Sequence, residues 1–109
     1  LQGSDAQLKE NIVKSDLDVD PLLDKIQVVD FNFKEDPEKR HTLGVIAQEL
    51  QEILPGQYKE EFIGSAKIRD ESYLTVRDNK LVYIALLALQ KQKKKIADLE
   101  ARLEALENK

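Results

Sequence analysis

"DNKLVYIALLALQKQKKKIADLEARLEALENK", residues 78–109, decides how the rest of the chain can fold. The stretch holds no Gly or Pro and is built largely from Ala, Leu, Lys, Glu and Gln, so it predicts one helix, with Asp78 able to cap its start. Its first half, "LVYIALLAL" at 81–89, is apolar nearly all round and should be covered on several sides. Its second half narrows to a seam. With Ile96 and Leu103 at heptad position a and Leu99 and Leu106 at d, the register runs back through Val82 and Leu89 at a and Ala85 and Gln92 at d. That is about four heptads, or roughly 42 Å of helix.

The charges beside the seam point to a partner. Lys95 and Arg102 fall at g, and Glu100 and Glu107 at e, so each cation faces the anion five residues later on a parallel, in-register neighbour. The remaining chain has too little apolar material to cover so long a helix. A parallel homo-oligomer is therefore expected, with Val82, Leu89, Ile96, Leu99, Leu103 and Leu106 at the interface. Ile at a with Leu at d leans toward two strands, but Ala85, Gln92 and the apolar run weaken that rule and leave the strand number open.

Upstream, residues 1–77 read as a small α+β unit. Asp20 followed by Pro21 predicts an N-cap and first helical position, with Leu22, Leu23 and Ile26 forming the apolar stripe. "VDFNF" at 29–33 alternates Val29, Phe31 and Phe33 against Asp30 and Asn32, the pattern of a half-buried strand. The charged run at 34–41, with Pro37, predicts a solvent loop. "LGVIAQELQEILPG" at 43–56 predicts a glycine-marked entry, a short helix burying Ile46, Leu50, Ile53 and Leu54, and a Pro55-Gly56 stop. Residues 57–76 predict a small β-meander or hairpin.

Composition narrows the chemistry. The 109 residues suit one domain: a globular part over 1–77 and a coiled-coil helix over 78–109. With no Cys and a single His there is no cysteine or histidine cluster for a metal, and no glycine-rich phosphate loop is present; no metal or cofactor is expected. A net charge of −4 argues against a nucleic-acid partner, and "KQKKK" at 91–95 reads as a solvated helix face. No apolar run approaches the roughly 20 residues of a membrane span, so no membrane partner is expected.

"SDAQLKENI" at 4–12 raises the one catalytic possibility. A nucleophilic serine needs a base, and a lysine serves only once its ammonium loses a proton, which desolvation promotes. Ser4 and Lys9 are the candidates, although a Ser and a Lys five residues apart carry little weight alone. "SDAQLKENI", "DKIQVVDFNFK" at 24–34, "GVIAQELQEILP" at 44–55, "YLTV" at 73–76 and the terminal helix follow in an order that carries more. Together they resemble the C-terminal intramolecular chaperone domain of bacteriophage tailspikes, tail fibres and neck appendages, as in endosialidase tailspikes, with a related domain in the myelin regulatory factor.

The resemblance implies a homotrimer that registers an upstream fibre or tailspike segment of the same chain and then cuts itself free as a single-turnover serine peptidase. It implies action in the host cytoplasm during virion assembly, with release from the mature fibre. By position, Ser4 matches the family's serine, Lys9 its activating lysine and Asp5 the residue after the serine. Asn11, Gln48 and Glu49 match recurrent polar positions with a supporting or structural role, while Gln7 stands where the family usually has Arg. The cut falls among Gly3, Ser4 and Asp5. Attack of the serine hydroxyl on the Gly3 carbonyl passes through a five-membered ring and breaks the bond between Gly3 and Ser4; a cut between Ser4 and Asp5 requires water or a neighbouring group as nucleophile. The alternative is a trimerisation module of a fibrous protein that breaks no bond.

Overall fold

The computed structural model describes residues 3–109. From residue 3 to residue 16 every side chain is exposed, and the only regular structure is a 3-10 turn at Ala6–Leu8. The chain joins the body at Leu17 and Val19, which point inward while Asp16 and Asp18 point out. Helix α1, Asp20–Lys25, follows. Asp20 is its first residue rather than its cap: Val19 holds the cap position with its side chain buried in the core, and the Asp18 carboxylate accepts the Asp20 N–H at 3.2 Å. Leu22 is fully buried and Ile26 packs against the core, but Leu23 faces solvent, because so short a helix presents one side only.

Strand β1, Val29–Phe31, pairs antiparallel with β2, Thr42–Gly44, with Val29 opposite Gly44 and Phe31 opposite Thr42. The strand ends before Phe33, which is exposed and meets the edge of Phe31 with ring centroids 5.2 Å apart. Gly44 lies under Phe31, where a Cβ would sit 3.1 Å from Cε1 of the ring. Between the strands, the Asp36 carboxylate organises the predicted loop. It accepts the N–H groups of Glu38 and Arg40 at 3.1 and 2.9 Å and the Arg40 Nε–H at 3.2 Å. The two bonds from Arg40 chiefly hold the Asp36 carboxyl below the usual carboxylate range.

Helix α2, Ala47–Ile53, buries Leu50, and Leu54 at its C-cap is buried too. Ile46 stays at the surface, since it precedes the helix in extended conformation. Pro55 ends the helix as predicted. A 3-10 turn at Gly56–Tyr58 leads into α3, Lys59–Phe62, so "YKEEF" is helical rather than a strand. The only strands beyond it are β3, Ile63–Ile68, and β4, Glu71–Val76, an antiparallel hairpin. Of the two alternatives for 57–76 the hairpin is the one formed, over 63–76, and the described residues hold two separate two-stranded sheets instead of one meander, because α2 and α3 intervene and anchor Leu50 and Phe62 in the core.

Arg69 and Asp70 form the hairpin's two-residue turn with φ of 52° and 67°, the sense that matches the twist of the flanking strands. Left-handed backbone costs a residue with a side chain roughly 1 kcal/mol or more. Asp70→Gly is therefore expected to stabilise the domain by up to about 1 kcal/mol, read as a raised urea midpoint.

Helix α4, Asp78–Glu107, is 30 residues long, about 45 Å. Asp78 is again the first helical residue and not the cap; Arg77 holds that position and donates its N–H to the Phe62 carbonyl at 2.8 Å. An acid in the first turn still suits the helix dipole. Ile84 and Ala88 complete the core with Val19, Leu22, Leu50, Leu54, Phe62 and Ile63. Only one face of "LVYIALLAL" is covered, contrary to the expectation of cover on several sides: Val82, Tyr83, Leu86 and Leu89 are all about half exposed or more. Truncation of a fully buried leucine sets the scale of this small core, and Leu22→Ala is expected to cost about 2–5 kcal/mol by denaturant unfolding.

Candidate functional site

The segment bearing Ser4 and Lys9 is organised locally. Asp5 caps the 3-10 turn, its carboxylate accepting the Gln7 N–H at 2.9 Å, while Leu8 and Lys9 donate their N–H groups to the carbonyls of Asp5 and Ala6 at 3.0 and 3.1 Å. An aspartate does this well because its short side chain reaches the N–H two residues on. The turn doubles the chain back so that the Leu8 side chain lies over Gly3, where a Cβ would overlap the Leu8 methyl. Asn11 then reverses the chain with φ of 53°, a conformation asparagine tolerates better than most residues, which favours a structural role for it.

The turn brings Gly3, Ser4, Asp5 and Lys9 into one short loop but does not assemble a reaction centre in the single chain. Ser4 and Lys9 are both exposed, and no hydrogen bond joins them among the described residues. Nothing in the single chain removes water from Lys9, the condition for a lysine base. Gln48 and Glu49 are exposed in the first turn of α2; Glu49 suits the N-terminal end of that helix.

The second feature is the uncovered face of α4. Every residue predicted at the seam is exposed: Val82 59%, Leu89 67%, Ile96 54%, Leu99 49%, Leu103 57% and Leu106 64%. Ile84 and Ala88, which bind the helix to its own body, lie at c and g in the same register, so the body leaves positions a and d open. Arg102 meets Asp98 within its own helix at 3.8 Å, a weak exposed pair that leaves it available to a neighbour.

Residues 4–59 match the protein family described as "Chaperone of endosialidase", a family of peptidases. The chain belongs to that family. The match begins at Ser4, so the turn, the arm behind it, α1, α2 and the first sheet are the family's own elements. An endosialidase-chaperone domain is a peptidase-type chaperone unit. The myelin regulatory factor homolog 1 of Caenorhabditis elegans is 32% identical over 114 residues, covering 95% of this chain and 11% of that protein. The chain thus spans about a tenth of that relative's length. No solved structure matches it significantly.

Among the described residues, no group of three or more His, Cys, Asp or Glu could hold a metal ion, and no helix is long and apolar enough to cross a membrane. Two features carry no signal in hydropathy. The tips of the two hairpins are tied by Arg69, which donates to both carboxylate oxygens of Glu35 at 2.6 and 2.9 Å. Lys14, on the arm, lines one groove with Gln90, Lys93, Lys94 and Ala97 of α4. The run of lysines at 91–95 was visible in the sequence, but its meeting with Lys14 depends on where the arm crosses the helix.

Proposed function

We propose that this domain is an intramolecular chaperone that trimerises through α4, brings an upstream fibre or tailspike segment into register, and is then released by serine-dependent self-cleavage beside Ser4. The observation that carries the reading is the exposed seam, an apolar stripe along a helix that its own core holds only near its start, through Ile84 and Ala88. Three upstream chains joined at one end meet at a high effective concentration, which turns their later pairing into an almost intramolecular event.

Assembly also supplies what the single chain lacks at the dyad. Packing of three copies desolvates Lys9 so that it can give up its proton, and holds the Ser4 hydroxyl against the carbonyl it attacks. Lys9 then takes the hydroxyl proton as the oxygen attacks and returns it to the departing amine, which leaves an ester on Ser4; water hydrolyses that ester, frees the serine hydroxyl and separates the two fragments. Cutting therefore follows correct assembly. The same reading places the reaction in a host cytoplasm during virion assembly, with the domain discarded from the finished fibre.

The test is the mass, under denaturing conditions, of a chain extended by its native sequence upstream of Ser4. Two fragments without added protease are expected, and their masses identify the bond. An intact chain that is nevertheless trimeric would leave a trimerisation module that breaks no bond.

A further inference from the structure

Two charged stretches of opposite sign lie at one height on this molecule and are only partly matched. Of Lys91, Lys93, Lys94 and Lys95, Lys91 alone has an ion-pair partner among the described residues, namely Asp20. Of Asp16, Asp18, Asp20 and Asp24, likewise, Asp20 alone is so paired. Lys14 adds a further cation beside Lys93 and Lys94, and that groove has no acidic wall. Like charges gathered this way repel one another until an anion intervenes.

We infer that Asp16 and Asp18 of one copy dock on the Lys14, Lys93 and Lys94 groove of the next. This rests on the parallel assembly proposed above. In a parallel, in-register bundle, residues at one height on one copy stand at the same height on its neighbours. The contact between Lys91 and Asp20 fixes the acidic segment at the height of residue 91, level with the groove. Lys93 occupies an e position, whose usual partner is the neighbour's g residue five positions earlier. That residue is Ala88, which is buried against its own body and offers no charge. Lys93 therefore meets the neighbour's body instead, at the level of its acidic segment. The segment is shaped for this: Leu17 and Val19 turn inward, leaving Asp16 and Asp18 exposed on the outer side. Because the arm with Ser4 and Lys9 continues directly from Asp16, this contact pins the base of the arm only when a second copy is present.

The chain has no cysteine, so introduced pairs report directly. Asp16→Cys combined with Lys93→Cys, and separately with Lys94→Cys, should under mild oxidation give covalent dimers and trimers on a denaturing, non-reducing gel. Single-cysteine variants should give no trimer. A cross-link confined to one chain, or none, in a sample that light scattering shows to be trimeric, overturns the inference and leaves the proposed assembly standing. A monomer by light scattering removes the assembly and the inference together. In the charge series, Lys93→Glu with Lys94→Glu should raise the concentration of half-dissociation about tenfold or more, and adding Asp16→Lys with Asp18→Lys should restore it. Failure of that restoration, together with saturable binding of inorganic phosphate to the trimer, assigns the groove to a free anion and also overturns the inference.

Discussion

Leu99→Asp combined with Leu103→Asp is expected to leave a folded monomer that no longer cuts itself, although Ser4 and Lys9 are untouched. Both leucines are about half exposed in the single chain, so assembly has roughly 1 kcal/mol of apolar burial left to gain at each. Summed over three copies that becomes several kcal/mol, and the aspartates replace it with carboxylates that must shed water inside the seam. The loss is larger than a small bundle can absorb. Neither residue touches the core around Leu22 and Leu50, so circular dichroism and the urea midpoint of the body should change little. Light scattering reads the assembly, and the mass of a chain extended upstream reads the cleavage. A variant that is monomeric and still cuts at the parental rate would break the proposed link between assembly and chemistry.

The second large effect concerns the dyad. Ser4→Ala should abolish fragment formation, since no hydroxyl remains to attack, and Lys9→Arg should abolish it as completely. The arginine keeps the charge and nearly the length of lysine, but a guanidinium does not release its proton in a protein and so cannot serve as base. A merely structural cation at position 9 would tolerate that exchange, which makes Lys9→Arg more telling than Lys9→Ala. Both variants should remain trimeric, because neither Ser4 nor Lys9 lies at the seam or in the groove lined by Lys14, Lys93 and Lys94. Measurable cutting by Lys9→Arg would remove lysine from the chemistry and leave Ser4 with a different activator.

How much of this could be read without the fold depends on the range of the interaction. Leu50 and Leu54 were legible as core because a helical stripe before Pro55 has one apolar side. Leu23, in the same kind of pattern, was misassigned because α1 is too short to show which side the body takes. β2 went unread because three residues acquire strand character only by pairing with Val29–Phe31. Likewise "YKEEF" became a helix because Phe62 is drawn into the core at the start of β3.

The site divides in the same way. The proposed roles of Ser4 and Lys9 rest on residue types and their motif, and the proposed seam on its heptads, because both are properties of neighbours along the chain. The capping role of Asp5, the reversal at Asn11 and the exposure of the dyad depend on backbone geometry. By itself the sequence determined the long helix, its apolar a and d spacing and the serine and lysine at the start, since local spacing dictates each. Only the tertiary structure decided that the body covers α4 from the c and g side, and that Lys14 joins the lysines of α4 opposite a row of outward aspartates. Those relations arise between residues far apart in the chain, where periodicity has no reach and packing chooses the neighbours.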